Sequence, residues 1–179
     1  MINSKKNIYF EEELSKYSWF NLGGPAEIMF KPDTIEELSK FLEKNKKKIY
    51  LLGAGSNTLI RDGGIRGVVI KLSSKFSYLK IINENIIEVG SSTLDKSLSN
   101  FAKDNSLSGF EFLSGIPGSV GGAIRMNCGC YGTDISKILI SIEVIDFKGK
   151  KSEIKADQIN FFYRGSSLPN DLIILSAKF

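Results

Sequence analysis

Apolar residues in the first 72 positions follow helix spacing in one segment and strand spacing on either side of it. A short strand is predicted at residues 28–30, after a turn at residues 23–25. The runs IYLLG and GVVIKL predict a buried strand that ends at Gly53 and another strand at residues 67–72. The helix between them, in DTIEELSKFLEKNKKK, places four apolar residues on one face: Ile35, Leu38, Phe41 and Leu42. These elements predict a β-α-β unit with an elaborate loop after its buried strand.

The start of that helix carries its own signal. Thr34, followed three residues later by Glu37, matches a capping box, and Asp33 is a second candidate cap. Both residue types accept hydrogen bonds from the free N–H groups of a first helical turn. We therefore expect the helix to begin immediately after these residues.

The remainder of the chain predicts a second unit. Residues 86–90 read as a strand, and ILISIEVIDFKGKKSEIKADQ reads as a hairpin that turns at residues 148–150. LIILSAKF predicts a final strand, and its apolar end at Phe179 suggests a missing downstream segment. The segment STLDKSLSNFAKDNSL predicts a helix with one apolar face: Leu94, Leu98, Phe101 and Ala102. We place the boundary near SSKFS, which divides the chain into residues 1–72 and 73–179.

Composition is that of an ordinary soluble chain able to fill a core. The 179 residues are 42% hydrophobic and 25% charged, with a formal net charge of +4. No apolar run reaches the roughly 18 residues of a membrane span, and no signal peptide is visible, so we expect a cytoplasmic protein without a membrane partner. The lysine cluster at residues 44–48 reads as a solvated helix end. No nucleic-acid motif accompanies it, so no nucleic-acid partner is expected.

The lack of histidine narrows the possible chemistry. It excludes Ser-His-Asp and Cys-His triads and histidine metal sites. Cys128 and Cys130 form a C-x-C pair, which is a poor metal site by itself and lacks the C-x-x-C redox spacing. We interpret both as reduced, buried side chains and expect no metal. Demanding chemistry in this chain would therefore need a cofactor.

A glycine-containing loop follows the strand that ends at Gly53. Its sequence, GAGSNT, lets backbone N–H groups approach an anion and adds three polar side chains. The loop is not a Walker A motif because it lacks G-K-[ST]. It is also a defective Rossmann fingerprint, since Thr58 stands where the third glycine belongs. Taken alone, a structural turn explains the loop as well as a phosphate site does.

The stretch GFEFLSGIPGSVGGAIRMNCGCYG, residues 109–132, holds seven of the chain's 17 glycines. It also offers the polar side chains of Ser114, Ser119, Asn127 and Tyr131. We expect the two loops, one from each unit, to face each other across a cleft that suits a dinucleotide with a central pyrophosphate. The alternative is a tight turn region packed between the two units.

Four segments in order carry a resemblance to a known family: FNLGGPAEI, LLGAGSNTLIRDGGIRGVVIKL, GFEFLSGIPGSVGGAIRMNCGCYG and FFYRGSSL. Together they resemble UDP-N-acetylenolpyruvoylglucosamine reductase, the MurB family of peptidoglycan synthesis. The resemblance implies an α+β fold: the FAD-binding module of the vanillyl-alcohol-oxidase (PCMH) type, with two α/β subdomains and no Rossmann fingerprint. It also implies that NADPH reduces non-covalently bound FAD, which then reduces the enolpyruvyl group of a UDP-sugar to give UDP-N-acetylmuramate.

The same resemblance implies roles for individual residues. Arg164 in FFYRGSS would stabilise the carbanion that forms beside a carboxylate, whereas its structural alternative is a surface ion pair. Tyr131 and Tyr163 would contact the substrate. The implied cofactor-binding residues are Gly53, Ala54, Gly55, Ser56, Asn57, Thr58, Ser114, Ile116, Pro117, Gly118, Ser119, Gly121, Gly122, Asn127 and Gly129.

Several positions depart from the family pattern. Ser18 and Trp19 replace the usual Asn-Thr or Thr-Thr, the two cysteines stand where alanine is usual, and Gly165 follows Arg164 in place of Asp or His. The family's C-terminal substrate domain, which supplies a proton-donating serine and a glutamate, has no counterpart here. The chain thus resembles the FAD-binding part of the enzyme, incomplete for turnover. Two alternatives stay open: a non-catalytic flavin- or nucleotide-binding module, or another FAD-dependent oxidoreductase of the same fold.

Overall fold

The computed structural model describes residues 7–179. The strands are β1 (Ile8–Glu13), β2 (Pro25–Phe30), β3 (Ile49–Leu51), β4 (Ile65–Ile70), β5 (Leu79–Asn83), β6 (Ile86–Gly90), β7 (Gly129–Cys130), β8 (Thr133–Asp134), β9 (Ser141–Asp146), β10 (Lys151–Lys155), β11 (Phe161–Phe162), β12 (Gly165–Ser166) and β13 (Leu172–Lys178). The α-helices are α1 (Ile35–Lys44), α2 (Asp95–Asp104) and α3 (Val120–Arg125). Short 3-10 helices span Leu14–Tyr17, Ser74–Phe76, Glu111–Gly115, Ile135–Lys137 and Ala156–Gln158.

The first sheet has the strand order β1-β2-β4-β3, and β1 is its antiparallel member. β2, α1 and β3 form the predicted β-α-β unit, with β4 inserted between the two strands. The prediction that the strand before Gly53 is buried is wrong, because β3 lies at the sheet edge and Leu51 is 42% exposed. An edge strand has a neighbour on one side alone, which leaves part of its surface open to solvent.

Helix α1 begins where the sequence predicts. The Thr34 hydroxyl accepts a hydrogen bond from the Glu37 N–H at 3.1 Å. The Glu37 carboxylate accepts from the Asp33 N–H at 2.9 Å instead of returning to Thr34. The cap is therefore confirmed, and the return bond of the capping box is shifted by one residue.

The second sheet is antiparallel throughout, in the order β10-β9-β13-β6-β5. The predicted strand at residues 86–90, the hairpin and the final strand are confirmed as β6, β9–β10 and β13. The prediction that Leu94 lies on the apolar face of the following helix is wrong. Leu94 is the N-cap of α2 and is 53% exposed. Sequence reasoning missed β1, β5 and α3. Their signals are weak, because β1 is rich in glutamate and α3 has six residues including two glycines.

The main hydrophobic core lies between the second sheet and helices α2 and α3. Its fully buried members include Ile87, Leu98, Ile124 and Ile142. None of the helices in the described part of the chain has the length and apolar character of a membrane span.

A second core cluster joins the two sheets through α1. Leu38 and Leu42 of α1 belong to the same buried cluster as Ile145 of β9 and Ile173 of β13. The Ser39 hydroxyl also donates to the carbonyl of Gly149 in the β9–β10 turn at 3.0 Å. The predicted boundary at residues 72 and 73 falls between β4 and β5, and the division into two subdomains stays a prediction.

Candidate functional site

A cleft of about 410 Å³ lies where the ends of β3 and β4 face α3 and the beginning of β13. Its size falls within the range of small-molecule sites. Six serines contribute hydroxyl groups to the lining. The lining residues are Leu51, Leu52, Gly53, Ala54, Ile70, Lys71, Leu72, Ser73, Ser74, Ser77, Ser91, Ser92, Leu94, Ser119, Gly121, Gly122, Arg125, Leu172, Ile173 and Ile174.

The two glycine-containing loops meet at this cleft. The Ser56 hydroxyl donates to the carbonyl of Pro117 at 2.8 Å, which joins the first loop to the second. A Cβ added to Gly53 would lie 3.0 Å from the Ser119 hydroxyl. The predicted juxtaposition of the loops is therefore present in the structure. Of the predicted cofactor-binding residues, five line the cleft: Gly53, Ala54, Ser119, Gly121 and Gly122.

The first loop is held in shape by contacts with the segment before β2. Gly55 has a φ of +75°, and a Cβ on it would lie 1.9 Å from the carbonyl oxygen of Tyr17. Its own carbonyl accepts from the Trp19 N–H at 3.2 Å. Glycine is thus required at this position for the fold of the loop.

The second loop is bound to the beginning of α2. The N–H of Gly121 donates to the Ser91 carbonyl at 2.9 Å, and the N–H of Asp95 donates to the Gly118 carbonyl at 3.2 Å. A Cβ on Gly118 would lie 2.6 Å from the Asp95 carboxylate, and one on Gly121 would lie 3.1 Å from the Ser91 side chain. Close packing explains these two glycines, and Gly121 faces the cleft as well. Close packing between chain segments, the alternative interpretation of this stretch, is therefore present, and its role in binding a dinucleotide stays a prediction.

The remaining predicted cofactor residues lie outside the lining of the cleft. Four of them belong to the two loops but do not line the cleft: Gly55, Ser56, Pro117 and Gly118. Asn57 is exposed, and the exposed Ser114 donates to the Glu111 carbonyl at 2.7 Å. Thr58, Ile116 and Gly129 are partly buried.

Asn127 links α3 to the short hairpin of β11 and β12. It is 7% exposed and has a φ of +41°. Its side-chain carbonyl accepts from the Ser136 N–H at 3.1 Å, and its amide donates to the Phe162 carbonyl at 3.3 Å. The bond to Phe162 holds the residue that precedes the turn of this hairpin.

Tyr163 and Arg164 occupy that turn. Arg164 is exposed, has a φ of +58°, and places its guanidinium 5.4 Å from the centre of the Tyr163 ring. No carboxylate in residues 7–179 forms an ion pair with it, so the surface ion pair considered as its alternative does not occur there. Tyr163 is 88% exposed and Tyr131 is 97% exposed. These three residues lie outside the lining of the cleft.

The sequence analysis did not predict two cationic residues that line the cleft. Lys71 follows β4, and its ammonium contacts the carbonyl of Gly53. Arg125, at the end of α3, donates to the carbonyls of Leu168 and Pro169 at 2.8 Å and of Leu172 at 2.7 Å. The position of Lys71 after a strand that approaches the glycine-containing loop was the available signal. Nothing in the local sequence indicated the partners of Arg125.

Asp95, the first residue of α2, was also missed. Its side chain is 1% exposed, and neither carboxylate oxygen has a hydrogen-bond partner in the described part of the chain. Burial raises the pKa of Asp95 to about 7, because water can no longer solvate the charged form. An unpaired carboxylate thus lies directly behind Gly118.

The two cysteines are free thiols. Cys128 is buried as predicted, and burial, with a further contribution from Asp95, raises its pKa to about 12. The prediction of a buried side chain is wrong for Cys130, which is half-buried and donates its thiol hydrogen to the Phe112 carbonyl at 3.3 Å. Among the described residues, no group of three or more Cys, Asp or Glu side chains is arranged to hold a metal ion.

Comparison with known proteins gives a consistent family. The model of a family described as "FAD binding domain" matches residues 26–154. Proteins named UDP-N-acetylenolpyruvoylglucosamine reductase from Pelagibacter ubique (strain HTCC1062) and Rickettsia bellii (strain RML369-C) are 47% and 50% identical to the chain. These alignments cover 99% and 93% of this chain but 59% and 56% of the two relatives. The chain therefore spans a little over half the length of these relatives.

Solved structures support the fold. The crystal structure of the MurB reductase from Thermus caldophilus matches with a TM-score of 0.82 and 32% identity, over 95% of this chain and 59% of that one. p-Cresol methylhydroxylase matches with a TM-score of 0.67 and 19% identity, over 97% of this chain and 40% of that one. At 19% identity, the match to p-cresol methylhydroxylase shows a shared fold alone. That fold is the predicted α+β FAD-binding module of the PCMH type.

Proposed function

Because the chain belongs to the FAD binding domain family, we propose that it is the FAD-binding part of an NADPH-dependent reductase. The proposed reaction converts UDP-N-acetylglucosamine enolpyruvate to UDP-N-acetylmuramate in peptidoglycan synthesis. The shared name of the relatives supports this reaction. Since those relatives are considerably longer, the proposal gives this chain the cofactor and leaves part of the substrate site to residues outside it.

The observation that carries the proposal is the cleft in which the two loops meet. A dinucleotide needs polar donors around its diphosphate and apolar walls around its ring systems. The serines, loop glycines and cations of the cleft suit the diphosphate. Leu51, Leu72, Leu94 and Ile173 supply apolar wall. The residues present thus fit an FAD molecule held without a covalent bond.

We propose that the two loops hold the cofactor between them. The first loop, residues 53–58, and the second, residues 118–122, would supply backbone donors and hydroxyl groups, with Ser114, Ile116, Pro117, Asn127 and Gly129 supporting the same site. Bound FAD would supply hydride transfer, accepting hydride from NADPH and delivering it to a carbon of the substrate. The protein's contribution is to orient the dinucleotide and to exclude water from the cleft.

Arg164 is the proposed catalytic residue of this chain. Negative charge that develops on carbon beside a carboxylate is stabilised by a nearby permanent cation with a planar, two-point donor geometry. The guanidinium of Arg164 has no carboxylate partner in residues 7–179 that would neutralise it. Asn127 would position its turn, and Tyr163 and Tyr131 would contact the UDP-sugar.

Another FAD-dependent oxidoreductase on this fold is the second candidate function. Covalent attachment of flavin through a cysteine would favour that candidate. Attack by sulfur requires the thiolate, and the raised pKa of the buried Cys128 opposes its formation. We therefore expect the flavin to be released intact when the protein is unfolded.

The test is to purify the chain with added FAD and record the flavin absorbance after gel filtration. The protein is then denatured and filtered again. We expect flavin to elute with the folded chain and to separate from the denatured one. Flavin that remains on the denatured protein would support covalent attachment, whereas a folded chain without flavin would contradict the proposed cofactor role.

A further inference from the structure

The lining of the cleft carries an unbalanced positive charge. It includes Lys71 and Arg125, and none of its residues is an aspartate or a glutamate. A cleft with two cations and no acid attracts an anion, because charges there are poorly screened by solvent.

Arg125 uses three of its five N–H donors within the protein. Its guanidinium donates three hydrogen bonds, to the carbonyls of Leu168, Pro169 and Leu172. These bonds fix the chain that leads into β13. Arg125 therefore acts as a structural anchor of the cleft wall.

Lys71 is the cation of the lining that does not hold the cleft wall in place. An ammonium group has three N–H donors, and the contact with the Gly53 carbonyl uses one of them. No carboxylate among the described residues pairs with it. Burial and the positive charge of Lys31 lower the pKa of Lys71, which reflects an uncompensated charge.

The contact with Gly53 directs Lys71 toward the meeting point of the loops. Gly53 faces the hydroxyl of Ser119 in the second loop. Ammonium, loop backbone and serine hydroxyl thus approach one another at one end of the cleft. Such a set is suited to phosphate oxygens, which accept several hydrogen bonds and carry the opposite charge.

We propose that the Lys71 ammonium binds the diphosphate of the dinucleotide cofactor. This inference rests on the proposed FAD-binding function and names a residue for it. In this proposal, the positive charge of Lys71 contacts the diphosphate and not the flavin ring. Removal of Lys71 should therefore lower the affinity of the chain for ligands that carry the diphosphate. The affinity for ligands without it should stay the same.

The experiment compares Lys71→Met with the wild-type chain by titration with FAD, ADP and riboflavin. Loss of one charge-assisted hydrogen bond should lower the affinity for FAD and for ADP about tenfold or more. Riboflavin, which has no phosphate, should bind both proteins alike. Added salt should weaken FAD binding to the wild type more than to Lys71→Met.

Two further variants control the result. Lys71→Arg keeps the charge and should retain most of the affinity for FAD. Lys31→Met removes the neighbouring cation, which lies outside the lining and contacts the rings of Tyr9 and Tyr17, and should have little effect. Circular dichroism and thermal melting establish that each variant is folded.

Equal FAD and ADP affinities for Lys71→Met and the wild type would overturn this inference and leave the proposed function standing. An equal loss for riboflavin would also overturn it, by showing general damage to the cleft. A wild-type chain that binds no FAD would overturn the proposed function and this inference with it.

Discussion

Asp95 is a buried charge that the fold leaves without a partner. Its carboxylate packs behind Gly118, and its charge adds to the effect of burial in raising the pKa of the neighbouring Cys128 thiol. A folded-state pKa of about 7 compares with a reference value of 3.8. At pH values between these two pKa values, Asp95 is protonated in the folded protein and ionised in the unfolded protein. The contribution of Asp95 to stability therefore falls as the pH rises through this window.

Asp95→Asn should remove this pH dependence. The free energy of unfolding of the variant, relative to wild type, should rise between about pH 4 and pH 7 and then stay level. A shift of roughly three pKa units sets an upper limit of about 4 kcal/mol on the change. Urea unfolding across this pH range measures it. Asn100→Ala, at an exposed and uncharged position of the same helix, is the control and should give a flat difference. Parallel profiles for wild type and Asp95→Asn would show that Asp95 does not carry the effect.

At the scale of elements, the first loop depends on one glycine. Gly55 combines a left-handed backbone with a position in which any side chain would collide with the carbonyl of Tyr17. Gly63, near the end of the same connection between β3 and β4, has open space around it. The two glycines therefore differ in the reason for their presence.

Gly55→Ala should destabilise the protein by about 2 kcal/mol or more, because backbone strain and a steric clash add together. It should also weaken FAD binding, since the loop would move away from Ser119 and Pro117. Gly63→Ala should stay within about 0.5 kcal/mol of wild type. Thermal melting and FAD titration of both variants test this. Similar behaviour of the two variants would contradict the structural requirement at Gly55.

The elements that sequence reasoning identified are those with strong local signals. The spacing of Leu38 and Leu42 gave α1, and the alternation around a central glycine gave the β9–β10 hairpin. The exposure of Leu51 and Leu94 was not predictable, because it depends on which strand lies at the edge and where a helix begins. Lys71 and Asp95 owe their importance to chain segments distant in sequence. Hydrophobic spacing carries no information about such contacts.

At the scale of the whole molecule, the residues proposed to bind the cofactor and those proposed to bind the substrate differ in how well the chain encloses them. The cleft proposed to bind the cofactor has walls from both sheets, which α1 holds together through a shared core cluster. Tyr131 and Tyr163 project almost fully into solvent, and Arg164 is exposed beside Tyr163. This chain alone thus forms one side of the proposed substrate site.

The chain alone should therefore bind FAD but turn over the UDP-sugar poorly. Orientation of reacting groups contributes a large part of enzymatic rate, and residues 7–179 leave the proposed substrate residues exposed to solvent. We expect a steady-state rate with NADPH at least about a thousandfold below that of the Pelagibacter ubique relative under the same conditions. Full activity of the 179-residue chain would contradict this view.

Joining the chain to the remaining part of that relative should restore activity, and Arg164→Ala in the joined protein should then abolish it. Because Arg164 lies outside the cofactor cleft, the flavin content after gel filtration should be unchanged. Loss of flavin together with activity would assign Arg164 to cofactor binding instead. Unchanged activity would remove it from the mechanism and favour a module whose single task is to hold the flavin.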